Sequence, residues 1–275
     1  MAIIRHGQPA LTNVRKRYGI GNWIKPNSTG TVLAFPNDAS HYDGSTQYVK
    51  RNGQLVGAVN SQKFIQSFWF RVEGTPGINR RIFDHSFRSP VIYANNDELQ
   101  FIHQNSSNVQ IAQAFLTAQD FVGTGFHHVI FSADLSVPEG QIYLDGAPAS
   151  TNVFMLNNDT IDFTRGTAEF AARGGVEFFT GCLGEIYFNF GEYLDLDIPA
   201  NLEKFIVAAP GGIAPGTIKV GTLVPADLGP TGARPTGTSP IIYLKNGGRD
   251  GLNQGDGGDF DEISGAPPKC IIPEP

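Results

Sequence analysis

The segment KFIQSFWFRVEG (63–74) constrains the fold more than any other stretch of the chain. Successive side chains of an extended backbone point to opposite faces. Phe64, Phe68, Phe70 and Val72 therefore share one face, and Ile65, Ser67, Trp69 and Arg71 share the other, as in a central strand. TVLAFP and HYDGSTQYVK precede it, with Asp43-Gly44 as a turn signal. RRIFDHS, SPVIYAN, ELQFIHQ, NVQIAQAF, HHVIFSADL, GQIYLDG, AEFAAR and CLGEIYFNF follow it. These runs are short, evenly spaced and separated by Gly, Asn, Asp and Pro, which is the pattern of a β-sandwich or barrel. The 33 Gly, 18 Pro and 20 Phe fit an all-β architecture better than a helical one. A chain of 275 residues suits one sandwich with extensions and is long enough to bury a core without covalent staples.

Three segments depart from the strand pattern. DIPANLEKFIVA predicts one helix over 197–208, capped by Asp197, with Pro199 in its first turn and Ile198, Leu202, Phe205 and Ile206 on one face. Beyond Pro210 the chain is rich in Gly, Pro and Thr, and only PIIYLKN reads as a strand. Residues 210–275 are expected to lie extended over the sandwich. Residues 1–30 read as a docking arm, preceding a sandwich with trailing helix over 31–209. In the arm Arg5, Arg15, Lys16, Arg17 and Lys25 gather positive charge in an otherwise acidic chain, and Ile3, Ile4, Leu11, Val14, Tyr18 and Trp23 supply apolar anchors. The alternative for this arm is a solvated terminus.

Only 17% of the residues are charged and the formal net charge is −6. That balance argues against nucleic acid as a partner and suits packing against proteins or sugars. The N-terminus has no long apolar core of a secretory signal, and no apolar run approaches the ~20 residues of a membrane span. The expectation is synthesis in a cytoplasm without membrane insertion. Cys182 and Cys270 lie far apart in the sequence and are expected to be free thiols.

Several segments, in order and with matching spacing over about residues 35–190, resemble concanavalin A-like, laminin-G-like jelly rolls. YDGSTQYV (42–49) is similar to the family's FDGSDDYV opening and QSFWFR (66–71) to its aromatic second strand. GFHHVIFSADLS (125–136) is similar to the G-W-H-H-V-A strand, with Phe126 where Trp usually sits. GQIYLDG (140–146) is similar to the hairpin that follows, and GCLGEIYFNF (181–190) to the closing strand. The resemblance implies an antiparallel jelly-roll β-sandwich. Beyond it, YLDLDIPANLEKFI, VPADLGPTGARPTGTSPIIYL and NQGDGGDF resemble the C-terminal half of laminin-G-like proteins of tailed bacteriophages and prophages. This implies a virion component of the capsid surface, tail fibre or baseplate, partnered by other virion proteins and by copies of itself.

Glycoside hydrolysis needs two carboxylates flanking the scissile bond. The E-x-D-x-x-E run that carries them in sandwich glucanases is absent, and Asp195 and Asp197 read as turn and cap residues. His127 and His128 are adjacent, so in a strand they face opposite ways and do not chelate one ion; one is expected in the core and the other exposed. Asn253, Asp256, Asp259 and Asp261 in NQGDGGDFDE are oxygen donors on a Gly-rich loop. They suit either calcium or, as the preferred reading, an ordinary turn. Trp69, Tyr143 and Tyr187 alternate away from the apolar residues of their strands, so they either line an open sugar-binding face or lie beneath a covering segment. The sequence thus predicts a non-enzymatic phage structural protein without a cofactor, with a glycan-binding adhesin module contacting a host surface as the alternative.

Overall fold

A computed structural model describes residues 38–74, 80–86, 91–95, 98–116, 121–123, 125–208 and 223–271. The arm residues Arg5, Arg15, Arg17 and Trp23 lie outside the described residues. In chain order the strands are β1 (Asp38–Asp43), β2 (Tyr48–Asn52), β3 (Lys63–Val72), β4 (Arg80–His85), β5 (Val91–Asn95), β6 (Glu98–Gln104), β7 (Gln110–Leu116), β8 (His127–Asp134) and β9 (Glu139–Leu144). There follow β10 (Ala147–Pro148), β11 (Thr151–Leu156), β12 (Thr167–Phe170), β13 (Thr180–Phe190), the helix α1 (Pro199–Leu202), β14 (Ile206–Ala208), β15 (Leu223–Pro225), β16 (Ile242–Leu244), β17 (Glu262–Ser264) and β18 (Lys269–Ile271). They form an antiparallel jelly-roll sandwich. Sheet A runs β10-β9-β8-β3-β13-β1-β18, with β16 also paired to β13, and sheet B runs β11-β7-β6-β5-β4-β12-β2-β17.

The alternation read in 63–72 is the alternation of the structure. Phe64, Phe68, Phe70 and Val72 enter the core between the sheets, where they meet Phe83, Phe101, Phe131, Phe170 and Phe188. Ile65 and Trp69 face the other way, into a second apolar layer with Ile130, Tyr143 and Tyr187. Leu196, Leu202, Phe205, Ile206 and Leu228 close that layer from outside. Residues 191–208 and 223–240 therefore form a roof on sheet A, and Tyr243 of β16 extends the layer from within the sheet. Each fully buried ring or branched side chain contributes about 1.5–3 kcal/mol, so a strand loaded on both faces needs a cover on both.

The roof corrects the predicted helix. Only Pro199–Leu202 is helical, and Ile198 holds the N-cap position with no side-chain cap. Asp197 instead accepts a 2.8 Å hydrogen bond from the Tyr143 hydroxyl. Ile206–Ala208 is extended and pairs with Leu223–Pro225. Phe205 and Ile206 still reach sheet A, Ile206 from a strand: β-branched Ile206 and Val207 suit a ladder better than a third helical turn.

The C-terminal segment adds strands to both sheets. β16 pairs with β13, β17 with β2 and β18 with β1. Where it crosses β13, Gly247 has φ +74, and a Cβ there would lie 2.0 Å from the Leu183 carbonyl oxygen. Only glycine fits so close a backbone approach.

The cysteines are also corrected: Cys182 and Cys270 form a disulfide, with Cα atoms 6.2 Å apart and a sequence separation of 88. β1 pairs with the strands that carry both, β13 and β18, and so brings them together. Closing a loop of that length corresponds to about 4–5 kcal/mol of chain entropy. Reduction, or Cys270→Ser, is expected to lower the thermal melting point by the equivalent of about 2–5 kcal/mol. An unchanged melt in reductant would show that the bond contributes nothing to the fold.

Candidate functional site

The two outer faces of the sandwich differ. On sheet A, Trp69, Tyr143 and Tyr187 are only 4%, 5% and 0% exposed. The roof covers them, so these three rings offer no surface to a sugar. Its backbone is hydrogen-bonded to the sheet: the Leu194 N–H donates to Ser132 Oγ at 2.9 Å and the Leu196 N–H to Gln141 Oε1 at 3.3 Å.

The histidine pair is corrected on one point, since both members are buried. They do face opposite ways. His127 packs against Phe70 and Phe121, and its Nδ1 lies 2.7 Å from Asp145 Oδ2. His128 lies against Trp69, and its Nε2 is 2.8 Å from Ser67 Oγ. Burial pushes the His128 pKa down to about 3, so the ring is neutral. Asp145 accepts from the backbone N–H of His128 rather than from its ring. Ser67 and His128 are a buried pair beneath the roof.

The acidic C-terminal loop is a turn. Asp259 Oδ1 accepts from the Asn253 N–H at 2.9 Å, and Asp261 Oδ1 accepts from the Asn52 N–H at 2.8 Å. The Asp256 N–H donates to the Pro240 carbonyl at 2.8 Å. Among the described residues no group of three or more His, Cys, Asp or Glu side chains converges on a metal position.

The outer face of sheet B has a different chemistry. Val49, Ala168, Phe170 and Phe83 point into the core, which leaves the intervening positions on the outside. Strand register then sets Glu262, Lys50, Glu169 and Asp84 in one row across β17, β2, β12 and β4. Glu169 is buried because its carboxylate accepts from the N–H groups of Gly174 and Gly175, at 2.7 and 3.3 Å. It thereby folds the loop 171–179 onto the sheet. The loop brings Arg173 and Glu177 over the row. Arg81 and Arg173 hold Glu177 at 2.5 and 3.3 Å, and both guanidinium groups lie within 3.9 Å of Asp84 Oδ2.

At the other end of the row Tyr48 donates a hydrogen bond to Glu262, as do Lys50 at 3.3 Å and Asn52 at 3.0 Å. The Tyr48 hydroxyl, then Asn52 and Lys50, hold the Glu262 carboxyl below the usual carboxylate range. The rings of Tyr48 and Phe178 lie 6.4 Å apart, both half-buried. The face thus offers fixed donors, fixed acceptors and two partly exposed rings, the kind of array that holds hydroxyl-rich ligands. None of these residues was singled out from the sequence. The signal that could have found them is the Gly174-Gly175 turn flanked by Arg173 and Glu177.

The family model described as the concanavalin A-like lectin/glucanases superfamily matches residues 43–188, more than half of the chain. The chain belongs to that superfamily. No curated protein sequence matches it. Among solved structures, a candidate carbohydrate-binding protein of Bacteroides ovatus ATCC 8483 aligns over 86% of this chain and 60% of its own, with a TM-score of 0.51 and 11% identity. A heptameric SAP-like pentraxin from Limulus polyphemus aligns over 61% of this chain and 82% of its own, at a TM-score of 0.44 and 12% identity. The ligand-binding domain of botulinum neurotoxin serotype D, solved with N-acetylneuraminic acid, aligns over 66% and 47%, at 0.44 and 12%.

One carboxyl of this superfamily domain is set apart from the sheet B face. Glu185 is buried beneath the roof, with φ +44, where the pairing of β13 with β3 shifts register. The Tyr243 hydroxyl donates to its Oε2 at 3.0 Å. Burial pushes its pKa up to about 7. Perturbed carboxyls mark functional sites when they line a cleft, but this one is enclosed. The folded state holds its proton more tightly than the unfolded chain does. The associated stability is therefore complete below the ordinary carboxylate pKa and is lost as pH rises through about 7. Glu185→Gln should remove that dependence. Its melting point relative to the parent should rise between about pH 5 and about pH 8, and a constant difference would contradict the assignment.

Proposed function

We propose that the chain is a non-catalytic glycan-binding module whose ligand lies on the outer face of sheet B, over Tyr48, Lys50, Arg173, Glu177 and Phe178. The observation that carries this reading is the contrast between the two faces: sheet A is roofed, and sheet B presents an open array of paired charges beside two aromatic rings. The superfamily description, which names lectins, and the Bacteroides ovatus protein of similar fold, named for carbohydrate binding, support the same direction. The absence of a catalytic role rests on how the carboxylates are used. Asp84 and Glu169 are cross-strand partners, but Asp84 sits between two arginines and Glu169 caps the Gly174-Gly175 turn. Neither is placed to pass a proton to a glycosidic oxygen.

Docking in a bacteriophage virion is the second reading, and the C-terminal resemblance favours it. The C-terminal strands, however, complete this fold's own two sheets, which leaves the N-terminal arm as the docking element of that reading.

A glycan array, followed by titration calorimetry with the best-bound oligosaccharide, tests the proposal. Tyr48→Ala and Arg173→Ala should each weaken binding about tenfold or more while the melting transition persists, and Thr238→Ala on the roof should bind as the parent does. Absence of binding to any glycan, equal binding by all variants, or release of reducing sugar by the purified protein would contradict it.

A further inference from the structure

Arg71 stands beside the disulfide and apart from the sheet B face. It shares the roof side of β3 with Trp69, and strand register sets it directly opposite Cys182 on β13. Its Nη2 lies 3.3 Å from Cys182 Sγ and 3.5 Å from Cys270 Sγ. The guanidinium sits over the Phe126 ring, 5.2 Å from its centroid. Glu73 holds it from the other side, accepting from Nε at 2.9 Å and also from Nη2, and His41 Nε2 lies 3.1 Å from the second oxygen of Glu73. One positive charge is thus fixed against both sulfurs of a bond that carries no charge while it is closed.

That charge gains a partner when the bond opens. Thiol–disulfide exchange expels one sulfur as a thiolate, and the step is faster when the departing thiolate is stabilised. A guanidinium within hydrogen-bond reach is such a stabiliser. The two sulfurs differ as targets. Cys182 is fully buried on β13, between β1 and β3. Cys270 is 8% exposed on β18, which pairs with β1 over three residues, Lys269–Ile271. A ladder that short opens locally without unfolding the sandwich, and its opening bares the Cys270 sulfur.

We propose that Cys182–Cys270 is an exchangeable bond and Cys270 a site of modification by thiols, with Arg71 as the group that receives the departing sulfur. The thiolate of a small thiol or of a protein dithiol attacks Cys270 Sγ. A new S–S bond forms to Cys270, the old one breaks, and its electron pair stays on Cys182 Sγ, which becomes a thiolate against Arg71 Nη2. With a monothiol the product is a mixed disulfide on Cys270. With a dithiol the second sulfur, as thiolate, displaces Cys270, so that the dithiol is oxidised and both cysteines are reduced. Either way β18 is left to its three-residue ladder. Glu73 opposes the step, because its carboxylate offsets the charge that the new thiolate requires.

The experiment uses the full chain under native conditions and does not depend on glycan binding. Excess 2-mercaptoethanol is added, samples are quenched in acid, and free thiols are alkylated with N-ethylmaleimide after denaturation. At early times peptide mass spectrometry should find the mercaptoethanol adduct on Cys270 and the maleimide on Cys182, with the far-ultraviolet spectrum unchanged. Arg71→Gln should slow this opening about tenfold or more, and Glu73→Gln should speed it about threefold or more. Arg71→Lys, which keeps the charge, should fall between the parent and Arg71→Gln. The opposite signs separate this role from a merely structural one, since an ion pair that only steadied the strands would open faster on loss of either member. Adducts chiefly on Cys182, or opening only in step with loss of the folded spectrum, would overturn the proposal. So would an Arg71→Gln variant that opens as fast as the parent or faster, or a Glu73→Gln variant that opens no faster.

Discussion

Sheet A is buried on both faces, and most of the structure answers to that constraint. On β13 every residue after Thr180 is buried, and on β3 only Lys63 and Arg71 are not. A sandwich covers one face of such a sheet and leaves the other requiring a cover of its own. The chain supplies it from residues 191–208 and 223–240. Ile130, Trp69 and Tyr187 meet Leu202, Phe205 and Leu228 there. Polar groups on the covered face find partners within it. Tyr143 donates to Asp197, Ser132 accepts from Leu194, and Tyr243 reaches Glu185. Where a polar pair lies in the central core itself, it joins the sheets: Gln66 on β3 and His103 on β6 are 3.1 Å apart, and burial keeps the His103 ring neutral by pushing its pKa down to about 3.

Closing sheet A assigns the surface role to sheet B. Its outer face is polar on β2 and β12 because these strands alternate: Val49 and Phe170 go inward, and Lys50 and Glu169 outward. Two features turn a merely hydrophilic face into an organised one. Glu169 binds the Gly174-Gly175 turn and so fixes the loop over the sheet, and Arg81 and Arg173 share Glu177 and Asp84 between them. Side chains held by such mutual pairing lose little freedom on meeting a ligand, which favours recognition.

Much of the fold was legible in sequence because it rests on local period. The two faces of 63–72 and the Asp43-Gly44 turn both depend on residues a few positions apart. Features set by long-range placement were not legible. The disulfide joins positions 88 residues apart, and only the arrival of β18 beside β1 shows that the two sulfurs meet. Alternation put Trp69, Tyr143 and Tyr187 on one face, but alternation carries no information about what lies above that face. The helix over 197–208 stopped after one turn because Ile206–Ala208 found a strand partner at Leu223–Pro225. The Glu262–Lys50–Glu169–Asp84 row draws on four strands, and no window of sequence shows four strands in register.

The central claim is that sheet A is sealed and that the outer face of sheet B is the open one. Hydroxyl-radical footprinting of the full chain in solution tests this directly, because aromatic side chains are oxidised in proportion to their exposure. Tyr48 and Phe178 should be modified readily, and Trp69, Tyr143 and Tyr187 should be spared until the protein unfolds. Rapid modification of Trp69 and Tyr187 in the folded protein, with Tyr48 and Phe178 protected, would contradict the account.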